Sequence, residues 1–427
     1  METAVNAGQD TLAGESTEFL EKISCEGQLM LACLRWPQTD PDRVLIGRLC
    51  SQSIDWERFQ FLVQHHRVEA IVTRNLLKAG VGSLTGKGET CLLHLRNISD
   101  ANTREALRML GELHHIYTEL KSHGISAKVL KGLPLSQEIF GDFGLRMTGD
   151  IDLLVAERDV MTVDKILRGL GYQGLVQLHH LSRKRLAFYR AHWKDVAYQN
   201  PVRVLDLDLH WRLFRNREMS GRGLGTAGEH QVTFGNFQMP TLPKQHHLLY
   251  LCVHGTIDGW VYLKSLADVA AWVRTMSQTE LDFLARTAKL HDILPEFSAA
   301  MILVRRLIGM DSWSSLLLSE EDRITRHVIS FARHNLFDGS FLADRWDVTS
   351  TRLFWFEFGL RRHFAYRKEL LIRILFRLRM WTTFPLPDGL FALYPLISPI
   401  EWLMHRRRRQ RTAAATICPG ADADPEP

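Results

Sequence analysis

Apolar and polar positions change their spacing twice along the chain. From about residue 17 to residue 122, apolar residues recur three and four positions apart, as in EFLEKISCEGQLMLACLRW and NTREALRMLGELHHIYTELKSHG, which is typical of amphipathic helices. Between 123 and 240 short segments alternate with period two, and beyond Pro243 the helical spacing returns. This order predicts an α+β fold in which a small mixed-sheet core is flanked by N-terminal and C-terminal helical regions.

The central region has the pattern of strands separated by short helices. ISAKVL is predicted as a strand, followed by Gly132 and a helix through LPLSQEIF. DIDLLV is predicted as a second strand before the helix ERDVMTVDKILRGLG, and KDVAYQN and VRVLDLDLHWRL as a strand pair joined through Asn200 and Pro201. Strands and helices in this order indicate a small α/β unit.

Spacing and local composition together divide the chain into six regions. They are a disordered N-terminus (1–16), an N-terminal helical region (17–122), the mixed-sheet core (123–240), a C-terminal helical region (241–380), a proline-containing amphipathic and basic segment (381–411) and a disordered tail (412–427). The tail, TAAATICPGADADPEP, has too few large apolar residues to support a packed core.

The charge and cysteine content exclude several classes of protein. Much of the formal net charge of +5 comes from one run near the end of the chain, Arg406, Arg407, Arg408, Arg409 and Arg411. The rest is nearly balanced, so no specific nucleic-acid partner is predicted. The six cysteines lack CxxC spacing, the N-terminus lacks the pattern of a secretion signal, and no run of about 18 apolar residues is present. We therefore expect a cytoplasmic protein.

One segment near the end of the chain has the composition of a membrane-surface anchor. FPLPDGLFALYPLISPIEWL is apolar, but its four prolines would interrupt a spanning helix. The adjacent run HRRRRQR predicts peripheral contact with anionic lipid at the inner face of the membrane, since each basic residue near such a surface contributes about 1 kcal/mol. A solvated helix end is the alternative.

Two carboxylates in DIDLLV are the first candidates for chemistry. Asp150 and Asp152 are two apart on a predicted strand, so both side chains project from the same face. Two neighbouring carboxylates repel unless a cation lies between them, and hard oxygen ligands suit Mg²⁺ or Mn²⁺. The alternative for so short a motif is a solvated turn or a helix cap.

A second acidic strand follows in VLDLDLHW. Asp206, Asp208 and His210 alternate with leucines, so one face is acidic and the other apolar. A third carboxylate beside the first pair would complete an arrangement that holds two metals in phosphoryl transfer. Asp206 and Asp208 stand about 6.6 to 6.8 Å apart along a strand, so only one can readily share a metal with that pair. An edge strand with its acids in water is the alternative.

Cationic residues on either side of these acids are candidates for binding phosphate. Lys131 and Gly132 lie at a predicted strand-to-helix turn, where free N–H groups, a close backbone approach and a point charge suit a triphosphate. The pattern GxxxxGK[ST] is absent, which argues against a Walker-type ATPase. Arg146 could offer a planar fork to phosphate, although a surface arginine is the alternative.

The C-terminal helical region adds two accessory candidates. Trp260, Lys264 and Asp268 are four apart, so they would line one face of a helix. Lys264 could then reach phosphates from the opposite wall of a cleft. An exposed Lys264–Asp268 pair is the alternative.

The order KVLKG, GDIDLLV, Gly171-Tyr172 and DLDLHWRL resembles the uncharacterised nucleotidyltransferase family of bacteria, a branch of the DNA polymerase beta-like superfamily. The resemblance extends over most of residues 40 to 405 and implies a nucleotidyltransferase core at 123–240. It implies that Asp150 and Asp152 bind metal and that Asp208 is the third carboxylate. It also implies that Lys131 and Gly132 form the phosphate-side turn, in place of the superfamily's usual Gly-Ser pair.

The resemblance implies metal-dependent transfer of a nucleoside monophosphate from an NTP, which we take to be ATP, to an unidentified acceptor. That acceptor would be a small molecule, a glycan precursor or a peptide or protein. The alternatives are γ-phosphoryl transfer at the same site and a non-catalytic nucleotide-binding or scaffold protein. The three carboxylates argue against the last alternative, because without metal they form a costly cluster of like charge. His210 would orient Asp208 or a water, or would be structural.

Overall fold

Sixteen helices, a five-stranded sheet and a two-stranded sheet make up the part of the chain that the computed structural model describes. That part comprises residues 23–81, 84–219, 223–225, 228–310, 312–337 and 348–399. The predicted α+β class is confirmed. The basic run at 406–411, and with it the predicted membrane contact, lies outside the described residues, as do the terminal segments 1–16 and 412–427.

Five helices precede the first strand. They are α1 (Cys25–Cys33), α2 (Asp40–Cys50), α3 (Trp56–His65), α4 (Glu69–Lys78) and α5 (Lys87–Ser122). Local sequence accounts for their starts: Thr39 and Asp42 form a capping box at α2, and the Asp55 carboxylate accepts from the first amides of α3. Such caps satisfy backbone donors that have no partner within the helix.

The five-stranded sheet has the order β1-β2-β5-β4-β3. Its strands are β1 (Ala127–Val129), β2 (Asp150–Val155), β3 (Gln173–Gly174), β4 (Asp195–Asn200) and β5 (Leu205–His210), and the helices between them are α6 (Leu133–Phe140), α7 (Val160–Gly169) and α8 (Arg183–His192). Only β2 and β5 are paired in parallel, so the sheet is mixed. A two-stranded sheet that the spacing does not predict follows, with β6 (His230–Phe234) and β7 (Phe237–Thr241).

Eight helices complete the described chain. They are α9 (Lys244–Ile257), α10 (Leu263–Val273), α11 (Gln278–Leu290), α12 (Leu294–Leu307), α13 (Arg323–Phe337), α14 (Val348–Leu360), α15 (Phe364–Leu375) and α16 (Leu378–Thr383). The apolar faces of α9 to α15 join those of α1 to α4 in one hydrophobic core, to which Leu29, Phe59, Leu251 and Phe297 belong. The helices before and after the sheet are therefore packed together, although they are far apart in sequence.

A second hydrophobic core lies against the other face of the sheet. Ile151 and Leu207 from the central strands pack there with Leu113 from the long helix α5. Trp381, Phe391 and Tyr394 of the proline-containing segment also belong to this core, so the described part of that segment is packed against the protein. Within the described residues, every helix is too short or too polar to cross a lipid bilayer.

Candidate active site

Four carboxylates lie on one face of the two central strands. The parallel register of β2 and β5 places Asp150 opposite Asp206 and Asp152 opposite Asp208. Directly opposed residues share a face, while the leucine and isoleucine residues between them point into the second core. All four aspartates line a cleft of about 490 Å³. The two acidic motifs, which are more than 50 residues apart in sequence, thus meet on one surface.

Asp152 is the most deeply buried of these acids. Its Oδ1 atom lies 2.9 Å from Nε2 of His210 and 3.3 Å from Nζ of Lys131. Burial opposes ionisation of this carboxyl, but Lys131 and His210 outweigh it and hold the pKa of Asp152 well below its usual range. Asp152 is therefore ionised in the folded protein at neutral pH.

The hydrogen bonds of His210 define which ring nitrogen carries a proton. Nδ1 of His210 lies 3.1 Å from Nζ of Lys194, and an ammonium group only donates. Nδ1 must then accept, so Nε2 carries the hydrogen and donates it to Asp152. Burial, followed by the charge of Lys194, lowers the pKa of His210, which agrees with a neutral ring. His210 thus orients Asp152. The sequence had predicted the neighbouring carboxylate, Asp208, or a water as its partner.

Asp208 completes a group that can hold a cation. Ligand atoms of Asp152, Asp208 and His210 lie within 4.8 Å of one another. Because Nε2 of His210 is engaged as a donor, the two carboxylates are the better ligands. Burial, together with Asp152, Asp195 and Asp150, raises the pKa of Asp208 to about 7. A divalent cation would relieve this repulsion between like charges, so the oxygen donors fit the Mg²⁺ or Mn²⁺ that the sequence predicts.

Lys131 and Gly132 lie at the turn after β1, as predicted. Asp152 raises the pKa of Lys131 against the opposing effect of burial, so the ammonium stays charged. Gly132 has φ of 67° and precedes α6. A Cβ atom at this position would lie 2.9 Å from Cγ2 of Thr148, so both the backbone angle and the space require glycine. In the cleft, Lys131 forms an ion pair with Asp152 and is also a candidate for binding phosphate.

His254 and Asp258 are cleft residues that the sequence analysis did not single out. Nε2 of His254 lies 3.0 Å from Nζ of Lys131, and Nδ1 lies 3.0 Å from Oδ2 of Asp258. Since Lys131 only donates, Nε2 accepts and Nδ1–H donates to Asp258. Burial lowers the pKa of His254, consistent with a neutral ring. Their spacing of four at the end of α9 is a signal that could have indicated this pair.

Arg146, Lys264 and Asp268 also line the cleft. Nε of Arg146 lies 2.9 Å from Oδ2 of Asp268, and both side chains are buried. Lys264 donates to the carbonyl of Met147 at 3.1 Å, and burial together with the charge of Arg146 lowers its pKa to about 7. The guanidinium of Arg146 is therefore buried and paired with an acid. It is not a surface arginine, and a phosphate would have to share it with Asp268.

The predicted alignment of Trp260 with these residues is wrong. Helix α10 begins at Leu263, whereas Trp260 precedes it with a positive φ of 53° and a buried ring. Only Lys264 and Asp268 share the helix and its spacing of four. Arg67 and Tyr262, which lie outside the acidic motifs, also line the cleft.

The sequence matches a known protein family. The family model described as "Uncharacterised nucleotidyltransferase" matches residues 52–309. This span is more than half of the chain and includes every residue that lines the cleft. No curated protein matches the sequence.

The two imidazoles provide a test of the cleft's hydrogen-bond network. In the metal-free protein near neutral pH, we expect His210 to be the Nε2–H tautomer and His254 the Nδ1–H tautomer, because each accepts from a lysine. Long-range ¹H–¹⁵N correlation spectra of protein labelled at histidine would distinguish the tautomers, and His210→Gln and His254→Gln would assign the signals. Two identical tautomers, or an imidazolium at either position, would contradict the network.

Proposed function

Because the chain belongs to the uncharacterised nucleotidyltransferase family, we propose that its cleft transfers a nucleoside monophosphate from an NTP, with ATP as the expected donor, to an acceptor. The observation that carries the proposal is the opposition of Asp152 and Asp208 on parallel strands at the cleft. Lysine and arginine side chains from four other segments line the same cleft, as binding of a triphosphate beside a carboxylate pair requires.

Asp150, Asp152 and Asp208 would hold Mg²⁺ or Mn²⁺. When bound, such a cation polarises the α-phosphate and lowers the pKa of the attacking hydroxyl. The protein's own residues bind the phosphates, orient a carboxylate and accept a proton. Lys131 and Lys264 bind phosphate oxygens from two sides, and His210 keeps the carboxylate of Asp152 in its orientation. A carboxylate oxygen of Asp208 accepts the proton of the acceptor hydroxyl.

The surroundings of Lys131 support its assignment to the phosphates. Its ammonium group has three donors, of which one meets Asp152 and a second meets Nε2 of His254. The third remains for a phosphate oxygen in the cleft. His254, itself held by Asp258, thereby fixes the long side chain of Lys131 and reduces the entropy lost when the NTP binds.

We expect the reaction in the cytoplasm, with the C-terminal basic run at anionic membrane surfaces.

Labelled substrates separate nucleotidyl transfer from phosphoryl transfer. We expect the protein, supplied with Mg²⁺ and the small-molecule extract of its own cells, to move label from α-³²P-ATP into a new product. Label from γ-³²P-ATP should appear as pyrophosphate. EDTA should abolish both signals. Label from the γ-position in the new product would instead favour a phosphotransferase, and nucleotide binding without any product would favour a nucleotide-sensing scaffold.

The two acids of β5 provide a matched pair of variants. Asp208 lies opposite the buried Asp152, whereas Asp206 lies opposite Asp150 and is exposed. Asp208→Asn preserves the shape and removes the charge, so we expect metal-dependent pyrophosphate release to fall at least about 100-fold, as when a group that stabilises transition-state charge is lost. Asp206→Asn should retain most activity. The reverse result would require a different third carboxylate.

A further inference from the structure

A second cavity lies on the same face of the sheet as the cleft. It has a volume of about 730 Å³ and lies between the start of β4 and the helices α14 and α15. On β4, Ala197 lies opposite Asp208 and lines the cleft, whereas Asp195 lies opposite His210 and lines the second cavity. Two residues of a strand span about 6.6 to 6.8 Å. The cavity therefore begins about that far along β4 from the position opposite Asp208.

Arg215 is a residue of the second cavity whose charge also acts on the cleft. Its side chain lines the second cavity and interacts electrostatically with Asp195 there and with Asp258, which lines the cleft. It is exposed, and within the described ranges no hydrogen bond or ion pair engages its guanidinium. A ligand in the cavity could therefore pair with this guanidinium without breaking a hydrogen bond or an ion pair.

The cavity combines an excess of positive charge with an apolar wall. Three arginines, Arg215, Arg373 and Arg377, face two carboxylates, Asp195 and Glu357. Both carboxylates already have cationic partners, since Asp195 pairs with Lys194 and Glu357 with Arg373. Much of the remaining lining is apolar, as in Trp193, Phe354 and Leu370. Such a lining suits an organic anion with an apolar body, and the volume is in the range of small-molecule sites.

We propose that this cavity binds the acceptor, and that the acceptor is an amphipathic organic anion. Its phosphate or carboxylate pairs with Arg215, its apolar part lies against Trp193 and Phe354, and its hydroxyl is directed along β4 towards Asp208. This assignment rests on the proposed nucleotidyl transfer. In that reaction the acceptor oxygen forms a bond to the α-phosphorus, the bond from the α-phosphorus to the bridging oxygen breaks, pyrophosphate leaves with the electron pair, and the hydroxyl proton passes to Asp208.

Model acceptors test the cavity without knowledge of the natural one. The probes are 1-naphthyl phosphate, 1-naphthoate and the neutral 1-naphthol, titrated calorimetrically into the full-length protein with and without Mg²⁺ and a non-hydrolysable ATP analogue. At least one anionic probe should bind in both conditions, and the tighter of the two identifies the preferred anion. Arg215→Gln should weaken its binding about tenfold, as loss of a charge-assisted contact does, and should leave 1-naphthol unchanged.

Two further variants separate apolar packing from non-specific charge effects. Phe354→Ala should weaken all three probes, because it removes part of the apolar wall. Arg96→Gln, which changes an exposed arginine on α5, should weaken none. Competition between probe and nucleotide, equal affinity of the wild type and Arg215→Gln, or no binding of either anion at millimolar concentration would each overturn the proposal.

The outcomes for the cavity and for the catalytic proposal are distinguishable. Nucleotidyl transfer with probe affinities that ignore Arg215 would overturn the cavity assignment and leave the proposed function standing. Probe binding that depends on Arg215, in a protein that turns over no nucleotide, would support the anion site and overturn the transfer reaction.

Discussion

The parallel pairing of β2 with β5 is the constraint on which the rest of the site depends. Its register brings Asp152 and Asp208 side by side while their apolar neighbours enter a hydrophobic core. A slip of one residue would exchange the two faces and bury the acids among leucines, so the packing of the core also maintains the alignment of the carboxylates. Stability and chemistry are therefore coupled through the same two strands.

The cost of placing these acids together is offset by residues from distant parts of the fold. Lys131 comes from the turn after β1, His210 from the end of β5 and Lys194 from the position just before β4. The C-terminal helices add His254 and Lys264. The helices that precede the sheet in sequence and those that follow it share one core. These groups are therefore held on a rigid frame, as binding of a highly charged substrate requires.

Local pattern predicted some of this arrangement and could not predict the rest. DIDLLV is strand β2 from end to end, because period-two alternation is a local property. The same alternation indicated the common face of Asp208 and His210. The contact of His254 with Lys131 joins residues 123 positions apart, and the pairing of Arg146 with Asp268 depends equally on helix packing. Trp260 was misplaced because a break before α10 interrupts the helical spacing.

A crystal structure with Mg²⁺ and a non-hydrolysable ATP analogue would show whether the carboxylates of β2 and β5 form a cation-dependent nucleotide site. We expect a metal ion bound by Asp150, Asp152 and Asp208, with oxygens of the triphosphate in contact with Lys131 and Lys264. An analogue bound outside the cleft would contradict this assignment. So would a cleft without metal at saturating Mg²⁺ and analogue, in which Asp152 is still paired with Lys131.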